Sequence, residues 1–168
     1  TEEQCTRELD DMQALGIDSL ILVGLDIHFN ELDENKHGFD SLAFFMEQTT
    51  NREMEVVLGG TASREWWVRM SLDTELTLNR QLGVRLLQEY GGYESFAGWY
   101  IPHEIYLPTG GKQQRFVREL YRELATEFHM LDDKDVILSP FFILDQKQQL
   151  GPYPYGSPYA YTIWWTEC

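Results

Sequence analysis

Basic side chains are scarce in this chain. Against 28 acidic residues stand 13 Lys and Arg in 168 positions, a formal net charge of −15. The Lys and Arg residues never cluster into a stripe, and a surface of that sign repels phosphate backbones, so no nucleic acid or anionic membrane surface is expected as a partner. Neutral or cationic ligands remain. Cysteine is equally sparse: Cys5 and Cys168 lie at opposite ends of the sequence, without CxxC or metal-ligand spacing, and read as two unrelated thiols. No apolar run approaches the roughly 18 residues that a membrane span requires, so no membrane insertion is expected. Asn-x-Ser/Thr is missing, and no positively charged segment leads into an apolar stretch, so no signal peptide is expected. The compartment stays undecided, with an extracytoplasmic one, secreted or periplasmic, slightly favoured. Phosphate loops, Gly-x-Ser-x-Gly elbows and Cys-His nucleophile pairs are also absent, and no cofactor is expected.

What the chain has in quantity is apolar and aromatic mass. Hydrophobic residues make up 43%, with 5 Trp, 9 Tyr and 9 Phe, too rich a composition for disorder. The length suits one domain over residues 1–168, because a chain of this size buries about 70% of its extended surface on folding.

Periodicity divides the chain into alternating elements. Leu9, Met12 and Leu15 recur at helical spacing from Glu2 to Leu15, with Gly16 as a left-handed stop,. Ser19 to Phe29 reads as a buried strand. A helix follows from about Phe39 to Thr50, with Leu42, Phe45 and Met46 on one side, then a short strand from Met54 to Leu58. After a loop holding Trp66 and Trp67, a helix runs from about Leu72 to Tyr90 with Leu78, Leu82 and Leu86 spaced by four and Gly91-Gly92 as terminator. Phe96 to Ile101 is the third strand. Lys112 to Leu131 is a helix whose face is drawn by Phe116, Leu120, Leu124 and Phe128, and Val136 to Ile143 is the fourth strand. Residues 145–168 read as a long loop rich in Pro, Gly and Tyr.

Each strand-to-strand step takes roughly 40 residues, the signature of parallel βα units. An open sheet and a (β/α)₈ barrel both fit. In the first strand Ile21, Val23, Leu25 and Ile27 share one side, suited to packing under helices, while Leu22, Gly24, Asp26 and His28 share the other. The second side is polar at its C-terminal end, as in a strand that lines a barrel and opens into a site. The third strand repeats this, with Ala97, Trp99 and Ile101 helix-facing and Phe96, Gly98, Tyr100 and then Glu104 on the other side. The barrel is therefore preferred. A full barrel usually needs about 250 residues, so an α/β fold of parallel (β/α) units forming an incomplete TIM-type barrel is expected. Its outer strands would leave edges unpaired.

Barrel chemistry sits at the C-terminal ends of strands. Gly98-Trp99-Tyr100-Ile101-Pro102-His103-Glu104-Ile105 delivers Glu104 to such an end, and Pro102 and Pro108 keep the loop out of helix,. Glu104 is the first candidate for a catalytic group, His103 its neighbour. Trp66 and Trp67, flanked by Arg64 and Glu65, offer indole faces on which a pyranose ring could stack, although one of them serves equally well as rim packing. Asp26, His28, Tyr106 and Ser139 complete the candidate ligand contacts. Asp26 with His28, and His103 with Glu104, also admit a divalent-metal centre, but the ligands are few and no metal is expected. His37 and His129 read as solvent-facing.

Gly98-Trp99-Tyr100-Ile101-Pro102-x-Glu104-Ile105, the block from Met12 to Leu22, and Leu138-Ser139-Pro140-Phe141-Phe142 together resemble a bacterial domain-of-unknown-function family placed among the glycoside-hydrolase-like TIM barrels. The resemblance covers nearly the whole chain. It implies a (β/α)₈ fold and action on carbohydrate. In the clan of retaining barrel glycosidases that this family resembles, the acid/base glutamate closes the fourth strand and follows an asparagine. Glu104 takes that glutamate's place, and His103 stands where the asparagine would. The four strands would then be the second to fifth of the barrel, without the seventh-strand nucleophile. Glycosidases need two carboxylates, about 5–5.5 Å apart for retention or about 6.5–9.5 Å for inversion. Asp26 and Glu65 are the other acids on the expected site side.

These readings converge on a glycosidase-like barrel acting on a neutral oligosaccharide or glycan, with Glu104 as general acid/base. Two alternatives stay open: a carbohydrate-binding barrel without turnover, and a divalent-metal barrel hydrolase.

Overall fold

A computed structural model describes residues 1–27, 29, 40–64, 66–103, 111–139 and, for the backbone, 161–164. The elements are α1 (Glu2–Ala14), β1 (Ser19–Val23), α2 (Ser41–Thr50), β2 (Glu55–Gly59), α3 (Trp66–Arg69), α4 (Leu72–Tyr90), β3 (Phe96–Ile101), α5 (Gly111–Leu131), β4 (Asp135–Leu138) and β5 (Tyr161–Trp164). Helix starts follow local chemistry. The Asp40 carboxylate accepts from the Ala43 N–H at 2.8 Å and caps α2. The Ser71 hydroxyl accepts from Thr74 N–H ahead of α4, satisfying amides that the first turn leaves without partners.

All strand pairings are parallel, in the order β4-β3-β2-β1-β5. This is the α/β arrangement of a partial (β/α) barrel. The edge of β1, expected to be bare, is covered by β5, whose residues lie within the segment read from sequence as loop.

Helices and sheet enclose one large core. Leu20 and Leu22 of β1, Val56 and Leu58 of β2, and Trp99 and Ile101 of β3 meet Leu42, Phe45 and Met46 of α2, Leu82 and Leu86 of α4, and Phe116, Leu120, Leu124 and Phe128 of α5. The Trp99 ring stacks on Phe128 at 5.0 Å, as a helix-facing residue should. A bidentate pair of Arg80 with Glu127, at 2.7 and 2.5 Å, ties α4 to α5 over this core. Cys5 and Leu9 of α1 also join the core, whereas Leu15 is 80% exposed.

Several expected details change. β1 ends at Val23, not Phe29: Gly24 takes a left-handed φ of 78°, a conformation costly for other residues, and residues 25–27 turn into helix,. The faces of β1 are also reversed. Ile21 and Val23 pack with Val57, Tyr100 and Ala97 on the opposite side of the sheet, while Leu20 and Leu22 face the helices. Between β2 and β3 the register shifts, Val56 pairing with Phe96 and Val57 with Gly98. Ala97 is the extra residue of this bulge, so Phe96 turns to the same side as Trp99 and meets it edge-on at 5.1 Å,. Gly91 closes α4 in right-handed geometry rather than left-handed. Among the described residues, no helix is long and apolar enough to cross a membrane.

Candidate functional site

The C-terminal end of β3 carries Pro102 and then His103, which is 1% exposed. Its surroundings come from four other segments. Gly60, just past β2, donates its N–H to the Tyr100 carbonyl at 2.9 Å and brings the following loop alongside β3. That loop is fastened to α4. Asn79 accepts from Thr61 N–H through Oδ1 at 2.9 Å, and its Nδ2 donates to the carbonyls of Thr61 and Glu75 at 2.7 and 2.8 Å.

One turn earlier on the same face, Glu75 is buried at 1% exposure,. Its Oε2 receives the Ser63 N–H at 3.0 Å and lies 2.9 Å from His103 Nε2, while its Oε1 receives the Ser63 hydroxyl. Burial pushes the Glu75 carboxyl up, but the hydrogen bonds from His103 and from the Ser63 side chain and backbone outweigh it and hold the group below its usual range,. Placement in the first turn of α4 also sets the carboxylate near the positive end of the helix dipole,. From α5 the Tyr121 hydroxyl donates to the His103 carbonyl at 2.6 Å. The residue that precedes Glu104 is thus held by side chain and by main chain.

Trp66 closes this group from α3, its ring edge-to-face with the His103 imidazole at 5.0 Å and 80°. Trp67 meets Trp66 at 5.6 Å and 71°. Both indoles are half-buried and pack on the main core, and the angle between them precludes one continuous flat platform.

Of the residues singled out from sequence, the structure brings His103, Trp66 and Trp67 together. Asp26 is half-buried in the helical turn after Gly24 rather than at a strand end, and Ser139 is exposed just past β4. Glu104, Tyr106, His28, Glu65 and His37 lie outside the described residues, as does Cys168. His129, in the last turn of α5, is exposed. Among the described residues, no group of three or more His, Cys, Asp or Glu gathers in a way that could hold a metal. Sequence reasoning missed Glu75, Asn79, Ser63 and Tyr121.

Chemically, the arrangement is a carboxylate and an imidazole sharing a hydrogen bond out of water, at the strand end that leads into Glu104. No curated protein matches the sequence. Among solved structures, a "putative alpha-L-fucosidase" from Bacteroides thetaiotaomicron VPI-5482 superposes with a TM-score of 0.64 at 20% identity over 83% of this chain. That likeness is one of fold, and this chain spans 45% of the other's length. The family described as Domain of unknown function (DUF4434) matches residues 1–158, and the chain belongs to it.

Proposed function

We propose that this domain is part of a glycoside hydrolase acting on a neutral oligosaccharide or glycan, with Glu104 as general acid/base. The observation that carries the reading is the support built around the residue just before Glu104, namely Glu75, itself fastened by Ser63, on the His103 side chain and Tyr121 on its carbonyl. Catalytic groups must be held in place by their surroundings, and such support at the C-terminal end of a parallel strand is where barrel enzymes need it. The fold likeness to a fucosidase-like chain points the same way. Glu104 would protonate the departing glycosidic oxygen and afterwards activate water, while an indole beside His103 packs against the sugar.

The test is hydrolysis of a panel of 4-nitrophenyl glycosides and reduced oligosaccharides by the full-length protein. Glu104→Gln should lower kcat by about 10²–10⁴-fold, the usual contribution of a general acid, on oligosaccharides that the parent cleaves, whose departing sugar oxygen needs a proton. Unchanged turnover of such an oligosaccharide overturns the assignment. The half-buried indoles beside His103 would serve a carbohydrate-binding domain as well. That second reading prevails if parent and Glu104→Gln bind a glycan equally and neither cleaves it.

A further inference from the structure

The connection between β2 and α4 is held more firmly than a simple link between them requires. Glu75 and Asn79, each 1% exposed, fasten Ser63 and Thr61 to α4. Met70 takes a left-handed φ of 47°, a conformation that few side chains adopt readily, and strain of this kind gathers at ligand clamps. Between these fixed points stands α3, its single turn closed by the Met70 N–H on the Trp66 carbonyl at 2.9 Å. Helical geometry decides what this turn presents. Trp66 faces inward, its ring 5.0 Å from the His103 imidazole. Val68, two residues on, falls on the opposite side of the turn and is 76% exposed. Trp67 is half-buried and lies one ring further out than Trp66, 5.6 Å away and turned by 71°.

We propose that Trp67 and Val68 form an outer subsite for a sugar unit other than the one that reacts, so that the ligand is an oligosaccharide recognised over several units. The proposal rests on the glycosidase reading, which puts the reacting unit at the strand end that leads into Glu104. The ring-to-ring steps from His103 to Trp66 and on to Trp67, 5.0 and 5.6 Å, are each comparable to a sugar ring, so a chain with one unit at that strand end reaches Trp67 and then Val68 with the units that follow. The angle between the indoles, which prevents one flat platform, suits separate units turned against each other. An indole and a valine offer apolar surface to the C–H face of a neutral sugar, and covering the exposed Val68 removes that surface from water. Fastening to α4 keeps the subsite formed before ligand arrives, which reduces the ordering needed on binding.

The experiment is isothermal titration calorimetry of full-length Glu104→Gln protein, in which turnover is blocked, with a methyl monoglycoside and the di-, tri- and tetrasaccharides of the same sugar, for each glycan class in the panel above. We expect affinity to rise with chain length. Adding Val68→Asp should cut the ratio of tetrasaccharide to monoglycoside affinity by about tenfold, the contribution of burying a valine side chain. Val68 is mostly exposed, so its replacement leaves the core intact, whereas Trp67→Ala, which should lower the ratio too, also removes packing on the core. A ratio near unity without the Val68 change overturns the proposal, as does a ratio that Val68→Asp leaves unmoved, and as does a failure of every glycan in the panel to bind. Binding is read apart from cleavage, so the two readings fail separately. Length-dependent binding through Val68 in a protein that cleaves nothing removes the role of Glu104 and keeps the subsite. Cleavage that needs Glu104 while binding ignores chain length does the reverse.

Discussion

Replacing Glu75 separates what its shape contributes from what its charge contributes. Glu75 accepts three hydrogen bonds, two from Ser63 and one from His103, in a place sealed from solvent. Glu75→Leu keeps the volume approximately and leaves the Ser63 N–H and His103 Nε2–H as buried donors without acceptors. At about 1–3 kcal/mol each, the loss should be about 2–6 kcal/mol. Glu75→Gln is different, because its amide oxygen can take the place of Oε2 and accept both donors, while its amide nitrogen donates to a rotated Ser63 hydroxyl. The bonds survive but are no longer charge-assisted, and the buried charge is gone, so the net loss should be about 1–2 kcal/mol. Urea titration followed by tryptophan fluorescence reads this directly. With an m value of about 2 kcal/mol/M, the Leu variant should shift the midpoint by about 1–3 M and the Gln variant by about 0.5–1 M. The pH dependence supplies an internal check. The carboxyl is held below its ordinary 4.5 in the fold, so its stabilisation is fully present above that pH and is lost as pH falls through the lower folded value. The gap between the parent and Glu75→Gln should narrow on acidification from pH 5 to pH 3. A Gln variant as unstable as the Leu variant, or a gap constant over that range, would refute the reasoning.

Two further perturbations test the neighbouring framework. A Cβ at Gly60 would stand 2.2 Å from Asn79 Oδ1 and 2.9 Å from Phe128 Cζ. Gly60→Ala should therefore disrupt the Thr61–Asn79 pairing at a cost of about 2–3 kcal/mol, seen by calorimetry as a Tm lower by about 4–12 °C. A drop under 1 °C would mean that the loop yields freely. On the other side of the core, burial first, and then the hydrogen bond to Asp40 at 2.9 Å, push the Tyr90 hydroxyl well above its ordinary 10.0. A raised value means that the stabilisation is complete below pH 10 and is lost as pH rises beyond it. Urea midpoints at pH 8 and pH 10.5 should show the parent losing more stability than Tyr90→Phe, and parallel losses in the two proteins would contradict this.

Much of the fold could be read from the chain because helix and strand periods are local properties. The apolar face of α5, with Phe116, Leu120, Leu124 and Phe128, is buried as the spacing requires, and β3 has its expected bounds. What could not be read was which side of β1 faces the helices. Both sides of that strand are apolar and both are buried, so alternation carries no direction in a parallel strand covered on two faces. The expected direction rests on Asp26 and His28, positions beyond the strand's end at Val23. The bulge at Ala97 has a signal in the sequence. Gly98 stands inside an otherwise bulky strand, and a Cβ there would lie 2.5 Å from the Asp135 carbonyl oxygen. A strand glycine of this kind marks a bulge or a close backbone approach.

The candidate site was legible as a place but not as a network. His103 and the tryptophans stood out because each lies in a segment with its own punctuation, whereas Glu75 and Asn79 sit within a long helix where charged and amide residues are ordinarily solvated. The buried stripe of α4 includes Glu75, Asn79, Leu82, Leu86 and Tyr90, at steps of four, three, four and four. Leu78, chosen for its apolar character, is only half-buried. Two polar residues continuing an apolar stripe toward the start of a helix are therefore informative. Burying them unpaired would be costly, so their presence on that face requires partners from elsewhere in the chain. Here those partners are the backbone of the loop after β2 and the imidazole at the end of β3. The same argument explains why the pairing cannot be inferred from the residues alone. Ser63 and His103 are distant from Glu75 along the sequence, and only the parallel register that sets β3 beside β2 brings them to one carboxylate.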